Sequence, residues 1–514
     1  MSPKRKHRRA DLGRSEDNLL PKIRRSSRAL LVAQLVSQAI SILTVMMCYR
    51  LLDQQHYGLL GMALPAILLG RTLATHGLNV ASIQEQSITD SQHSQLFWIG
   101  LRWAAVSTAV CCCVIPLLAL LFGAPEMLAV GLALTGTIVI AAVGNQHQSR
   151  LERNFDFRRL ATIRIAAQIV GAISAISAAL LGAGVWSLVL QQYSELLVLS
   201  LLLWISDNWR PRWTGSEISD LSASNSTHLV RFSSYYSLSS LAFFIGQNID
   251  KLFLAWLLGS TPRGLALLGM YSQAFQWMQK PVLLTTSLIS GVMVPALSRT
   301  RQVPKQYAAL AIDFYRLTAT LLFPSAIGLF VIADDVMLVL GGPKWAAAGY
   351  VLQALAIAII GQGLINITGS VFASTGRADR LFFASLVINL ALIQGYFCGY
   401  WLATRHGFTQ MNAVLGVAWG YSLTTVFAIL GPYLAFSFMV ARLPFTQLIF
   451  QLLKVLLHSA IMGVAVFALK RSLDSVTIIS ARLIVLIGAG AVIYLLLARH
   501  EVKFLVNRFL RDAE

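Results

Sequence analysis

Charge is what this sequence has least of. Asp, Glu, Lys and Arg make up 12% of its 514 residues, about half the share of a soluble globular chain. So few charges cannot cover the outside of a water-soluble protein that is 56% hydrophobic. With a mean hydropathy of +0.67, soluble enzymes and disordered chains are both excluded. Cysteine is scarce as well. Of the five, Cys111, Cys112 and Cys113 are consecutive, and Cys48 and Cys398 lie in other apolar runs. An odd set in apolar segments excludes a disulfide scaffold, and none has the spacing of a metal site. There is no GxxxxGK[ST], so an ATP-driven pump carrying its own motor is excluded. The longest stretch between apolar runs, residues 206–229, is too short for a folded catalytic module.

What the chain does have is long apolar runs. A hydrocarbon core about 30 Å thick needs about 20 apolar helical residues to cross it. Runs of that kind fall near 29–49, 57–82, 96–122, 126–148, 160–181, 184–205, 230–258, 267–297, 308–332, 346–373, 381–403, 412–439, 447–468 and 478–498. None alternates apolar and polar residues as the strands of a membrane barrel do. The expected fold is therefore an all-α polytopic membrane protein of about 14 transmembrane helices. The first run follows 28 residues rich in Lys and Arg and lacks a small-residue cleavage site, so it reads as a retained span.

Basic residues outnumber acidic ones, 41 to 22, for a net charge of +19. Their placement explains the excess. If residues 1–28 lie in the cytoplasm, the cytoplasmic segments hold 26 Lys and Arg, the opposite segments 6, and the spans 9. Such asymmetry predicts both termini inside. The run Lys4-Arg5-Lys6-His7-Arg8-Arg9 reads as a juxtamembrane segment drawn to anionic lipid, with no nucleic-acid partner.

A repeat divides the chain. Leu59-Leu60-Gly61-Met62-Ala63-Leu64-Pro65-Ala66 matches Leu267-Leu268-Gly269-Met270-Tyr271-Ser272-Gln273-Ala274 at five of eight positions, at an offset of 208. Six spans per half keep one orientation, so a pseudo-two-fold axis along the membrane normal is expected. The expected organisation is a basic tail (1–28), a six-helix bundle (29–205), a cytoplasmic linker (206–229), a second six-helix bundle (230–440), and two further helices with a cytoplasmic tail (441–514).

Charged residues deep in spans cost about 2.5–3.5 kcal/mol each by insertion scales and so mark candidate sites. Arg71 and Lys280 lie near mid-span, and the repeat offset places Arg71 beside Gln279. Two cations facing a cavity would suit a diphosphate. Gln273, Gln276, Trp277 and Lys280 share one helix face. Their amides, indole and ammonium suit sugar hydroxyls, a sugar ring and a phosphate, or else form a polar seam holding helices together. Gln247 and Lys251 continue a stripe with Ser233, Ser237 and Ser240; Gln38 continues one with Gln34, Ser37, Ser41 and Thr44. Asp250 and Lys251 point about 100° apart on a helix and need not pair. Arg316 and Glu195 complete the deep set. Glu195 reads as a coupling site or as the counter-ion of Arg71 or Arg164, while Arg164, Lys454 and Arg482 lie near span ends, where they snorkel.

The chain resembles the oligosaccharide flippases of the multidrug/oligosaccharidyl-lipid/polysaccharide superfamily, in the Wzx-like branch of colanic acid exporters. The likeness rests on Arg50-Leu-Leu-Asp53 through Tyr57-Gly58-Leu-Leu-Gly61-Met62, Arg153-Asn-Phe155-Asp-Phe157, Gly182-Ala-Gly184-Val-Trp186-Ser-Leu-Val189, Asn248-Ile-Asp250-Lys251 and Pro295-Ala-Leu-Ser298-Arg299. Arg71 departs from it, since an acidic residue is expected before Gly77-Leu78. The resemblance implies two six-helix lobes around a central cavity in a bacterial inner membrane. It implies a polyprenyl-diphosphate-linked oligosaccharide as substrate, no cofactor or metal, membrane lipids as surroundings, and a polymerase and glycosyltransferases as pathway partners. A cation-coupled multidrug antiporter is the alternative within that fold, and an intramembrane glycosyltransferase or ligase the alternative outside it.

Overall fold

The computed structural model describes residues 33–75, 89–154, 156–213, 241–242, 244–375, 378–405, 407–441, 444–473 and 478–507. Helices account for nearly all of them. In chain order they are α1 (Ala33–Leu51), α2 (Gln54–Thr75), α3 (Asp90–Leu121), α4 (Glu126–Arg153), α5 (Phe157–Leu180), α6 (Val185–Ser206), α7 (Ile249–Leu258), α8 (Pro262–Thr300) and α9 (Pro304–Gly341). Then come α10 (Ala346–Ala356), α11 (Ala358–Thr375), α12 (Ala378–Thr404), α13 (Gln410–Leu423), α14 (Gly431–Ala441), α15 (Phe445–Ser472), α16 (Ile479–Leu497) and α17 (Arg499–Val506).

Among the described residues eleven helices are long and apolar enough to cross a membrane, or thirteen if two bent pairs each count as one span. The expected count was about fourteen. The seventh expected span, 230–258, lies in part outside the described residues, and its described portion is interrupted. The bend in α8, 45° between Ile289 and Val292, falls where Pro295 opposes the carbonyl four residues earlier. The expected span 346–373 is a pair bent by 46° at Ile357. Local signals set several starts. Thr261 Oγ1 accepts the Gly264 N–H at 3.1 Å with Pro262 at the first position of α8, and Thr409 caps α13 through Asn412 N–H at 3.1 Å.

Large apolar side chains point outward, as a lipid-facing surface requires. Leu120 is 82% exposed and Leu181 87%.

The described residues form two compact units. Unit 1 holds 33–52, 66–75, 89–120 and 125–213; unit 2 holds 53–65, 121–124 and those from 241 onward. Unit 1 is tied by polar contacts between apolar helices. Ser37 donates to Gln168 Oε1 at 2.7 Å, joining α1 to α5. Ser200 and the Trp204 indole donate to the carbonyls of Ile140 (2.9 Å) and Val143 (3.0 Å), joining α6 to α4. Small residues and hydroxyls serve here because lipid provides no hydrophobic drive between helices.

In unit 2 the two copies of the repeated sequence cross each other. A Cβ on Gly58 would lie 2.1 Å from the Leu265 carbonyl oxygen, and one on Gly269 2.1 Å from that of Gln54. Only glycine permits this backbone approach. Gln54 Nε2 also donates to the Lys344 carbonyl at 2.5 Å, and Tyr57 packs edge-on against the buried Trp345.

Helices α15 to α17 are fastened to α9 at both ends. At one end Asp335, fully buried, pairs with Arg482 and with Lys470 (3.4 Å). At the other, Glu501, 2% exposed, bridges Lys454 (2.8 Å) and Arg316. Between them Ile332, Met462, Val466, Leu486 and Tyr494 form an apolar cluster, and Tyr494 donates to the Thr320 carbonyl at 2.9 Å.

Gly269→Leu should force α2 and α8 apart and lower the melting temperature of the detergent-solubilised protein, at a cost of about 1–3 kcal/mol. Gly488→Leu, with nothing within 4 Å of its added Cβ, should leave the melting temperature unchanged.

Candidate functional site

Unit 2 holds a break in a span. Helical residues run to Gly246, Gln247 and Asn248 form a turn, and α7 resumes at Ile249. A break exposes carbonyls that lipid cannot satisfy, so irregular backbone at membrane depth persists only where protein groups or a cavity meet it. Here side chains meet them. Lys251 Nζ donates to the Gln247 carbonyl at 2.9 Å, and Asn248 Nδ2 to that of Phe244 at 2.9 Å. From α12, Asn389 Nδ2 donates to the Ala242 carbonyl at 2.6 Å and the Tyr396 hydroxyl to that of Gly246 at 3.4 Å.

Just past the break, Asp250 and Lys251 do pair, Nζ to Oδ1 at 3.3 Å. The 100° between them is spanned because Lys251 reaches back along the break while Asp250 is fully buried. The other carboxylate oxygen, Oδ2, accepts the Tyr271 hydroxyl at 2.6 Å. The ammonium lies 3.8 Å from the centroid of the Phe275 ring. Phe275 abuts Tyr421, and Tyr421 stacks on Tyr396 with centroids 6.0 Å apart. Spans 7, 8, 11 and 12 of the expected series therefore build one buried acid–base centre. The spacing of Asn389 and Tyr396, seven residues apart on one face of an apolar helix, was the signal available for their part in it.

The adjoining polar residues separate. Gln279 Nε2 donates to Gln247 Oε1 at 2.5 Å. Lys280 Nζ lies 4.6 Å from the centroid of the Trp277 ring, covering one face of the indole. Gln276 is exposed and Gln273 buried, so the four-residue face is graded from core to surface.

In unit 1, Arg71 is half-buried and its Nη2 donates to Gln192 Oε1 at 3.1 Å. Glu195, one turn along α6 from Gln192, is electrostatically coupled to it. Arg164 pairs instead with Glu152 at 3.2 Å, so Glu195 stands with Arg71. Gln38 is half-buried on α1 beside the Ser37–Gln168 contact. Ser233, Ser237, Ser240 and the segment His76-Gly77-Leu78 lie outside the described residues.

Arg316 sits with Glu501, Lys454 and the Phe504 ring, its Cζ 4.3 Å from the ring centroid. Glu501 and Asp335 escaped the sequence reading because both fall beyond the apolar runs and are buried only by tertiary packing.

If the Asp250–Lys251 pair is what keeps this centre intact, Lys251→Met alone should cost about 3–5 kcal/mol by leaving a buried carboxylate uncompensated. Asp250→Asn with Lys251→Met should recover most of that stability, measured as melting temperature in detergent.

Comparison with known proteins places this geometry. The model of the family described as "Polysaccharide biosynthesis protein" matches residues 47–349. The chain is 26% identical over 426 residues to the teichuronic acid biosynthesis protein TuaB of Bacillus subtilis (strain 168), covering 82% of this chain and 83% of that one. It is 22% identical over 398 residues to the lipopolysaccharide biosynthesis protein WzxC of Escherichia coli (strain K12), 77% of each. Among solved structures, the lipid II flippase MurJ in an inward closed conformation matches with a TM-score of 0.67 at 14% identity, over 94% of this chain and 99% of that one. A helical membrane fold of this kind, with a family match across more than half of its length, identifies the chain as a member of the polysaccharide biosynthesis protein family.

Proposed function

We propose that this protein is a flippase that moves polyprenyl-diphosphate-linked oligosaccharide units across a bacterial inner membrane for surface polysaccharide synthesis. The reading is carried by the family match, joined to a fold shared with a lipid II flippase. Both termini would face the cytoplasm, and two six-helix bundles, 29–205 and 230–440, would rock about a cavity while the lipid tail stays in the bilayer. The half-buried cations Arg71 and Lys280 would meet the diphosphate, since bidentate or ammonium contacts to phosphate oxygens gain strength away from bulk water. Gln276 and the Trp277 indole would meet sugar. The Asp250–Lys251 centre supports this role as a rigid neighbour of that face, because Gln247 carries both the Lys251 contact and the Gln279 contact. Glycosyltransferases and a polymerase would act before and after the transport step.

Arg71→Ala and Lys280→Ala should each abolish polysaccharide export with protein level unchanged, read by immunoblot and surface-polysaccharide staining. Deletion of the gene should make the diphosphate-linked oligosaccharide accumulate on the cytoplasmic leaflet. Undiminished export in the double variant would remove the two cations from the site. Absence of accumulation, with altered drug resistance instead, would point to a cation-coupled multidrug antiporter.

A further inference from the structure

Where α6 ends, the chain does not leave the protein. Asp207 is extended (φ −111°, ψ 122°), and Pro211 biases the preceding Arg210 the same way. Residues 207–213 then run as a strap back across α4 and α3. Asp207 accepts from Arg150 Nε at 3.0 Å and contacts His147 Nδ1 at 3.2 Å. The Arg212 N–H donates to Ser94 Oγ at 3.2 Å, and Trp98 Nε1 donates to the Arg212 carbonyl at 3.1 Å.

The strap presents alternating indoles and guanidinium groups. Trp209 is buried against His147 and carries Arg150 on its face at 5.1 Å. Arg210 lies 5.5 Å from the Trp204 ring, and Arg102 6.0 Å from that of Trp213. Trp213 packs edge-on against Trp98 and is 70% exposed. A guanidinium stacked on an indole keeps part of its N–H edge free for an oxyanion. Among the described residues at this end, Asp90 and Asp207 pair with Arg150, and Glu152 pairs with Arg164. Arg102, Arg210 and Arg212 are exposed, and none is ion-paired with a carboxylate among the described residues.

Depth is set by α3. Its 32 residues span about 48 Å against a core of about 30 Å. Leu117, Leu120 and Leu121 at its far end are exposed apolar side chains, which suit hydrocarbon and not water, so the excess of about 18 Å is assigned to the Asp90 end. Trp98 and Arg102, about 12 and 18 Å from that end, then lie at the boundary between headgroups and acyl chains, where Trp and Arg are favoured.

From this we propose that the 207–213 strap, with Trp98 and Arg102 of α3, binds the phosphate headgroup of an anionic phospholipid. The guanidinium groups of Arg102, Arg210 and Arg212 engage the lipid's charge, and Trp213 lies along its glycerol and upper acyl region. The site is separate from the deep residues proposed for the substrate.

The full-length protein reconstituted in vesicles tests it. The Trp213 signal is the fluorescence difference between the wild-type chain and Trp213→Phe. Brominated phosphatidylglycerol should quench it at least about fivefold more than brominated phosphatidylcholine at equal mole fraction, since a single Lys/Arg contact with an anionic headgroup already gives that enrichment. Arg102→Gln, Arg210→Gln and Arg212→Gln together should bring the two lipids to near equality, whereas Arg102→Lys, Arg210→Lys and Arg212→Lys together should retain the preference. Equal quenching in the wild-type protein, or a preference that persists in the Gln variant, would overturn the proposal. So would loss of the preference in the Lys variant.

Discussion

The structure depends on one constraint: inside a hydrocarbon layer, a charge or a bare backbone carbonyl has no water to turn to. Every departure from apolar helix therefore has to be met by another part of the chain. The break at Gln247 and Asn248 shows the full requirement. Four carbonyls around it are taken up by Lys251, Asn248, Asn389 and Tyr396, and the ammonium so recruited also balances Asp250. The break and the ion pair stabilise each other. Neither would persist alone at that depth, because a lone buried charge and an unmet carbonyl each cost several kcal/mol.

The same constraint explains the ends of α9. Asp335 and Glu501 are buried carboxylates, and each is held between two cations from different helices. These pairs fasten α15 to α17 along α9, with an apolar cluster between. The last helices are thus part of unit 2 through both charge and packing. In unit 1 the carboxylates Asp207, Asp90 and Glu152 pair with Arg150 and Arg164, and among the described residues the outward arginines of the strap have no carboxylate partner.

Much of the fold was legible because it depends on local composition. Run length and hydropathy require only neighbouring residues, and the helices from α1 through α6 fall where the runs predicted. The repeat was legible too, as Gly61 and Gly269 in matching segments. That these segments cross at Gly58 and Gly269 was not, because close backbone approach is a property of two distant segments at once. The deep charges stood out by their cost, and Glu195 read as a counter-ion of Arg71 or Arg164, but the other partners were not legible. Arg316 read as a deep cation with no partner named, because Glu501, 185 positions later, lies beyond the last apolar run. Asp250 and Lys251 read as divergent because the angle between neighbours on a helix leaves out the reach of the lysine side chain, which turns back to the Gln247 carbonyl and Asp250.

By itself the sequence determined that the chain is a helical membrane protein, where most spans lie, which residues are costly enough in lipid to need an explanation, and which family it resembles. Those conclusions follow from the transfer free energy of each residue and its near neighbours, which is additive along the chain. Tertiary structure decided which charge meets which: Glu195 with Arg71 and not Arg164, Arg71 with Gln192, Lys251 with Asp250, Arg316 with Glu501, Lys280 with the face of Trp277. Pairing is a matter of distance between helices, and in a medium without water that distance settles whether a charge belongs to the framework or remains open to a ligand.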